Sequence, residues 1–387
     1  MPDQSVNKGT RPRRDGMLLG ASSILISIAV YIRYATRASI NDDMQIFYRW
    51  YDSMQAQGFP EVLGRVITNY PPAYNYLLML AAFVSPLSRT TSIKLIPFAF
   101  DVISAFMVYK IIRLKYSNSS IPILASSLFL LLPSVVLVGA VWGQTDGIYS
   151  AFILLCLYYL LTSRPLPAVI AFSAAFSFKF QAIFVVPFLA VLTLKKVIPA
   201  RFYLLIPAVY LGLGLPSLLF GYPLSELLLI YARQSDQYSL VARSAPNLYS
   251  YLLSFDYTTV FVGGMILAVL LIAAWVFWTS MQNPSSKPNG TIFLMLVSSM
   301  LVPFLLPKMH ERYFYLTGLL SFIFAFFEPR YWFLALLSQM IICYSLTPFL
   351  FGAPVEVIYL TSFFNLILVA YLLYAQHGLR AEARFVE

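Results

Sequence analysis

Apolar stretches close to 20 residues long follow one another along nearly the whole chain, separated by short polar runs. That length is what a helix needs to cross the hydrocarbon core of a bilayer. Helix also pairs every backbone group within its own segment, whereas an open sheet edge in lipid leaves such groups unpaired. The alternating pattern of an outer-membrane barrel is absent. The chain therefore reads as all-α, a polytopic integral membrane protein with about 12–13 transmembrane or membrane-embedded helices. The predicted segments are 17–36, 71–87, 93–113, 120–140, 147–163, 166–178, 181–194, 201–220, 257–279, 291–307, 314–327, 331–350 and 355–375. The first is too long for a signal-peptide core and has no small-residue cleavage site, so it is expected to stay in the protein. One membrane-embedded domain covers 1–387, with its polar stretches at 1–16, 37–70 and 221–247. No internal repeat is evident, which argues against a transporter built from duplicated halves.

Of the 387 residues, 60% are hydrophobic and 11% are charged. The net charge of +10 matches the excess of Lys and Arg that cytoplasmic loops carry for topological reasons. No basic stretch interleaved with aromatics lies outside the apolar segments, so no nucleic-acid partner is expected. Cys156 and Cys343 both fall in apolar segments, and His310 and His377 lie far apart, which points to neither a disulfide framework nor a histidine metal site. Orientation follows from the basic clusters. Lys8, Arg11, Arg13 and Arg14, then Lys110, Arg113 and Lys115, then Lys195, Lys196 and Arg201, then Lys287, and finally Arg380 and Arg384 are placed inside. This puts 37–70, 142–147, 177–181, 221–247 and 307–313 on the opposite face. Between Tyr70 and the 110–115 cluster the chain must cross an odd number of times, yet two apolar segments lie there. Segment 71–87, short and opening on Pro71-Pro72, is expected to enter without fully spanning.

Several of the polar runs on that face carry chemistry. Asn41-Asp42-Asp43 precedes Phe47, Trp50 and Met54, and helical spacing sets Asp43, Phe47, Trp50 and Met54 on one face of an amphipathic interfacial helix. Asn41 or Asp42 serves as its cap, which leaves a second acid as a general-base candidate. Trp142-Gly143-Gln144-Thr145-Asp146 combines an indole, an amide and a carboxylate at the mouth of a segment. Lys179, in Ser177-Phe178-Lys179-Phe180-Gln181, interrupts apolar sequence where a lysine is expensive unless it snorkels or meets an anion. Pro307-Lys308-Met309-His310-Glu311-Arg312-Tyr313 is the densest charge cluster near lipid. Its Arg312 and Lys308 suit a phosphate, and His310 suits an acid or donor. Asp101 is the one acid deep in a predicted span, with Lys94 as a partner within reach. Two neighbouring acids without a third ligand make a poor Mg²⁺ or Mn²⁺ site; dependence on a divalent cation stays open, and no other cofactor is called for.

The order Asp43 with Phe47 and Trp50, Asn69-Tyr70-Pro71-Pro72, Trp142-Gly143-Gln144-Thr145-Asp146, Phe178-Lys179-Phe180-Gln181, Pro246-Asn247-Leu248 and His310-Glu311-Arg312-Tyr313-Phe314 resembles the multi-pass GT-C glycosyltransferases. It is most similar to the bacterial mannosyltransferase group related to GPI mannosyltransferase II, over residues 40 to 320. The resemblance implies a GT-C-like fold in the plasma (inner) membrane and an extracytoplasmic active site. It also implies inverting transfer of a hexose, mannose first, from a polyprenyl-phosphate-linked sugar to a lipid, glycan or protein acceptor. By position Asp43 is the catalytic acid, with Asp42 in reserve. Arg312, His310, Lys179 and Lys308 fall to the donor phosphate; Trp50, Tyr70, Trp142, Gln144, Asp146, Gln181, Asn247 and Glu311 fall to sugar or acceptor. Membrane lipids are further partners. The large soluble C-terminal domain of some relatives is missing, which leaves acceptor capture to the outer loops, 221–247 with Arg233, Asp236 and Arg243 included. A transporter or flippase of lipid-linked sugars, and a surface-glycan polymerase or ligase, are the competing readings.

Overall fold

The computed structural model describes residues 10–236, 239–282 and 288–384, with side chains from 15 to 376 within those ranges. Lys8 and Lys287 lie outside the described residues, as do the side chains of Arg11, Arg13, Arg14, His377, Arg380 and Arg384.

The helices are α1 (Thr10–Thr36), α2 (Asp42–Gln57), α3 (Pro72–Val84), α4 (Arg89–Arg113), α5 (Ile121–Phe129), the single turn α6 (Pro133–Val135), α7 (Asp146–Leu161) and α8 (Pro165–Phe178). They continue with α9 (Val186–Leu194), α10 (Leu205–Leu219), α11 (Leu224–Asp236), α12 (Tyr257–Ser280), α13 (Pro288–Leu305), α14 (Tyr315–Phe327), α15 (Trp332–Phe351) and α16 (Val357–Arg384). A π-helix, Val136–Trp142, extends α6. Every predicted apolar segment is helical. Among the described residues, however, 7 helices are long and apolar enough to cross a membrane, or 8 if α5 and the bent α6–π continuation count as one span. The chain is a multi-pass membrane protein, but α3, α7, α8, α9 with the turn before it, and α14 are shorter than a bilayer core.

Burial explains why short helices suffice. In the span window of α13, 72% of residues are buried, against 11% for α1 and 17% for α10 and α12. α7, α13 and α14 thus form the centre of the bundle, while α1, α10 and α12 present apolar side chains to lipid. A helix wrapped by protein need not match the lipid thickness. Some polar groups within the bundle pair with one another: Thr317 donates to the Ser299 carbonyl at 2.9 Å and Trp275 to Gln376 at 3.0 Å.

Asp101 pairs with Arg33 of α1 at 2.9 Å, and not with Lys94. The pairing is steric as well as electrostatic, because Gly139 leaves the space: a Cβ there would stand 2.8 Å from Asp101 Oδ2.

α3 enters and returns on one side. Its thirteen residues reach about 20 Å, and the helix that follows it begins back against α2, where Arg89 pairs with Asp52 and Tyr48 meets Thr90. The chain thus leaves 71–87 at the α2 end of the bundle. The opposite end of the bundle is tied by Lys115 on the Phe326 and Phe327 carbonyls, at 3.2 and 2.6 Å, and by Ser120 donating to Asp15 at 3.1 Å.

Candidate functional site

At one end of the bundle a polar cavity of about 120 Å³ opens between the 37–70 segment, the Trp142–Asp146 corner, the α8–α9 break and the loop after α13. It brings together Asp43, Trp50, Tyr70, Gln144, Lys179, Gln181, His310 and Arg312, all predicted from sequence. Residues separated by more than 260 positions in the chain thus share one surface.

Asp43 arrives by way of α2. Asn41 caps that helix, its side chain accepting from the Met44 amide at 3.0 Å, while its Nδ2 donates to the Trp142 carbonyl at 2.9 Å. Asp42 is exposed at the first helical position and lies outside the cavity lining. Met44, Phe47, Tyr51 and Met54 bury one face of α2 on α3 and α4. This turns Asp43, Ile46 and Trp50 to the cavity, with Phe47 at its floor. Asp43 Oδ2 accepts from Trp142 Nε1 at 3.0 Å and from Gln144 Nε2 at 2.5 Å. Both donors are neutral, so they orient the carboxylate without cancelling its charge.

Opposite it stand the cations. Asp146, fully buried in the first turn of α7, faces Lys179 at 2.8 Å and Arg312 at 3.4 Å. Its place at a helix N-terminus favours its negative charge. Lys179 ends α8 in extended backbone, which is why a lysine can sit in apolar sequence: it meets a buried anion. Arg312 also pairs with Glu311 at 3.1 Å and lies over the Trp142 ring at 5.1 Å. Burial raises the Glu311 carboxyl above its usual range, partly offset by Arg312. Burial, reinforced by Arg312, Arg243 and Lys179, holds His310 well below its ordinary value, so it faces the cavity as a neutral imidazole. It can therefore donate or accept a hydrogen bond, and the positive charge rests on Lys179 and Arg312.

The remaining predicted residues sit behind the wall. Trp142, Asp146 and Glu311 are buried and hold the lining groups; they do not line the cavity. Asn247 is fully buried, caps the turn at 248–252 and donates to the Pro303 and Leu306 carbonyls at 3.3 and 3.2 Å. It braces the loop after α13, which strand β1 (Ala242–Arg243) also ties by pairing in parallel with β2 (Met309–His310). Lys308 lines a neighbouring chamber, donating to the Ser235 carbonyl at 2.7 Å beneath Tyr257 and Phe261. That chamber, about 290 Å³ and mostly apolar, is walled by Phe184, Leu240, Phe261 and Met265 among others, and shares Gln181, Gln234, His310 and Tyr313 with the polar cavity.

Asn69, Gln234 and Tyr313 line the polar cavity without having been singled out as site residues. Asn69 and Tyr313 lie inside quoted motifs; Gln234 comes from α11, donates to the Asn69 carbonyl, and has no local signal beyond amphipathic spacing. Among the described residues no three of His, Cys, Asp and Glu come together as a metal site.

No family model and no curated protein matches the chain. Fold and cavity define it as a multi-pass α-helical membrane protein with a charged polar cavity and an apolar chamber side by side at one end. Any narrower reading rests on the residues of that cavity.

Proposed function

We propose that the chain is a GT-C-type glycosyltransferase that moves a hexose, mannose first, from a polyprenyl phosphate to a lipid, glycan or protein hydroxyl on the extracytoplasmic face of the plasma membrane. The observation that carries this reading is the opposition of Asp43 to Lys179 and Arg312 across a small polar cavity that continues into an apolar chamber. An amphiphile with a sugar-phosphate head suits that pair of spaces, its prenyl chain in the apolar one. Trp142 and Gln144 both bond Asp43 through Oδ2. Oδ1 is then the atom that takes the acceptor proton.

The step is a single displacement. The acceptor O–H gives its proton to Asp43, its oxygen attacks the anomeric carbon, and the bond from that carbon to the phosphate oxygen breaks with its electrons. The charge left on the lipid phosphate meets Lys179 and Arg312, and neutral His310 donates a hydrogen bond. Asp146 Oδ2 bridges the two cations and holds them in place. Trp50, Tyr70, Gln144 and Gln181 are the surfaces and amides that hold the sugar. In membranes supplied with polyprenyl-phosphate hexose, Asp43→Asn is expected to lower transfer by about 10²–10⁴-fold. Nucleotide-linked sugar should not serve as donor, and a chelator arm reads metal dependence. Full activity of Asp43→Asn overturns the assignment.

A further inference from the structure

Lys94 is the buried cation that the proposed reaction does not use. It stands in the second turn of α4, 6% exposed, and its ammonium group touches four acceptors. These are the Thr36 carbonyl at 2.9 Å, Ser39 Oγ at 2.5 Å, the Ala140 carbonyl at 2.9 Å and the Val141 carbonyl at 3.0 Å. Thr36 is the last residue of α1, and Ala140 and Val141 lie in the last turn of the π-helix. Carbonyls there have no partner within their own helix and carry its negative end. One point charge therefore caps two helix ends at once, and a neutral side chain would strip the Ala140 carbonyl of its donor and leave the Thr36 and Val141 carbonyls to Ser39 in a low-dielectric place.

What those two ends carry makes the clamp functional. α1 leads within five residues to Asn41, the cap of α2, and so to Asp43. The π-helix ends on Trp142, whose indole holds Asp43 and whose carbonyl is held by Asn41. Ser39 adds a bond of 3.1 Å to the Val141 carbonyl. Lys94 thus joins the segment that carries the carboxylate to the segment that carries its two donors, without lining the polar cavity itself.

We infer that Lys94 is a positioning residue: it sets the separation of Asp43 from Trp142 and Gln144 by clamping the ends of α1 and the π-helix. The catalytic half of this inference rests on the proposed transferase reading; the clamp itself does not.

The test joins two measurements on full-length protein in detergent, wild type against Lys94→Met and Lys94→Arg. Hydrogen exchange read by mass spectrometry should show amides in 36–45 and 139–146 opening on the order of tenfold faster in Lys94→Met, with α13 and α14 unchanged. Lys94→Arg, which keeps the charge, should retain most of the protection. In the transfer assay Lys94→Met should lose about 100-fold in kcat with KM little changed, and Lys94→Arg should recover part of it. Should Lys94→Met not fold, Ser39→Ala, which removes one acceptor and the bond to Val141, gives a milder loosening of the same two segments. Unchanged exchange in 36–45 and 139–146 overturns the clamp, and wild-type kcat in Lys94→Met overturns the positioning role. If the wild type transfers no sugar while Lys94→Met still loosens those segments, the clamp stands and the transferase reading falls.

Discussion

At the residue scale, Asp43 and Asp146 look alike in sequence, each an acid at the start of a helix, and the structure gives them opposite duties. Asp43 is half-exposed, held by neutral donors and turned to the cavity. Asp146 is fully buried between Lys179 and Arg312. Replacing Asp146 by Asn leaves buried Lys179 facing no anion and Arg312 with Glu311 alone, and removing one partner of a buried pair costs about 3–5 kcal/mol. Asp146→Asn is therefore expected to lower the thermal unfolding midpoint in detergent well below that of wild type, whereas Asp43→Asn should melt close to wild type while inactive. Equal midpoints for the two variants would show that Asp146 does not hold the cations. The sequence could not separate these roles. Asp43 was legible because its spacing to Phe47 and Trp50 is local, and Asn41 was legible as a cap for the same reason. Trp142, Asp146, Asn247 and Glu311 were recognised as important but assigned to the sugar, because burial is a property of the packed bundle and not of a motif.

At the scale of elements, the corner from the π-helix to α7 determines where the donors to Asp43 stand. Gly143 ends the π-helix with a φ of 82°, in the left-handed region, and a Cβ on it would stand 2.7 Å from Met44 Cε. Met44 is fully buried, so it has little room to withdraw. Gly143→Ala therefore meets a backbone penalty of about 1–2 kcal/mol and forces the Met44 side chain of α2 to shift beside Trp142 and Gln144. Gly221 has a φ of 92° with no atom within 4 Å of its would-be Cβ. Gly221→Ala carries the backbone penalty alone. The transfer rate is expected to fall on the order of tenfold in Gly143→Ala and to hold in Gly221→Ala at a similar loss of stability. Equal rates in the two would remove the Met44 shift as the cause. Periodicity reveals the apolar segments but not this geometry: a π-helix and a left-handed corner leave no repeat to read. Lys94 was visible only as a generic partner for Asp101, because its true acceptors are backbone carbonyls that converge from α1 and the π-helix.

For the whole molecule, the positions of the helices were legible from length and hydropathy, while their depth was not. A run of thirteen to sixteen apolar residues looks like a span in sequence, and only the bundle shows α7 and α14 wrapped by other helices and α3 turning back. With α3 and the start of α4 both beside α2, α4 alone would cross between Tyr70 and Lys115, the odd number that the basic clusters call for. The α2 side of the bundle, with Arg89 paired to Asp52, and the α3–α4 turn must then lie on one side, and the 113–120 loop, where Lys115 caps α14, on the other. On the proposed reading, with the cavity extracytoplasmic, that second side, which carries Lys110, Arg113, Lys115, Lys195, Lys196 and Arg201, is the cytoplasmic one. Gln55, Ser88 and Ser117 are all exposed positions that test the arrangement. With the native cysteines replaced, Gln55→Cys and Ser88→Cys should react with a membrane-impermeant maleimide in intact cells, and Ser117→Cys only after permeabilisation. Labelling of Gln55→Cys and Ser88→Cys from opposite sides would make α3 a span. It would also detach α2 from the start of α4, so that Asp43 could not face Lys179 and Arg312 across one cavity. Labelling of Gln55→Cys and Ser88→Cys only after permeabilisation, with Ser117→Cys open in intact cells, would instead invert the molecule. The cavity would stay whole, but its sugar donor would have to be one presented on the cytoplasmic leaflet.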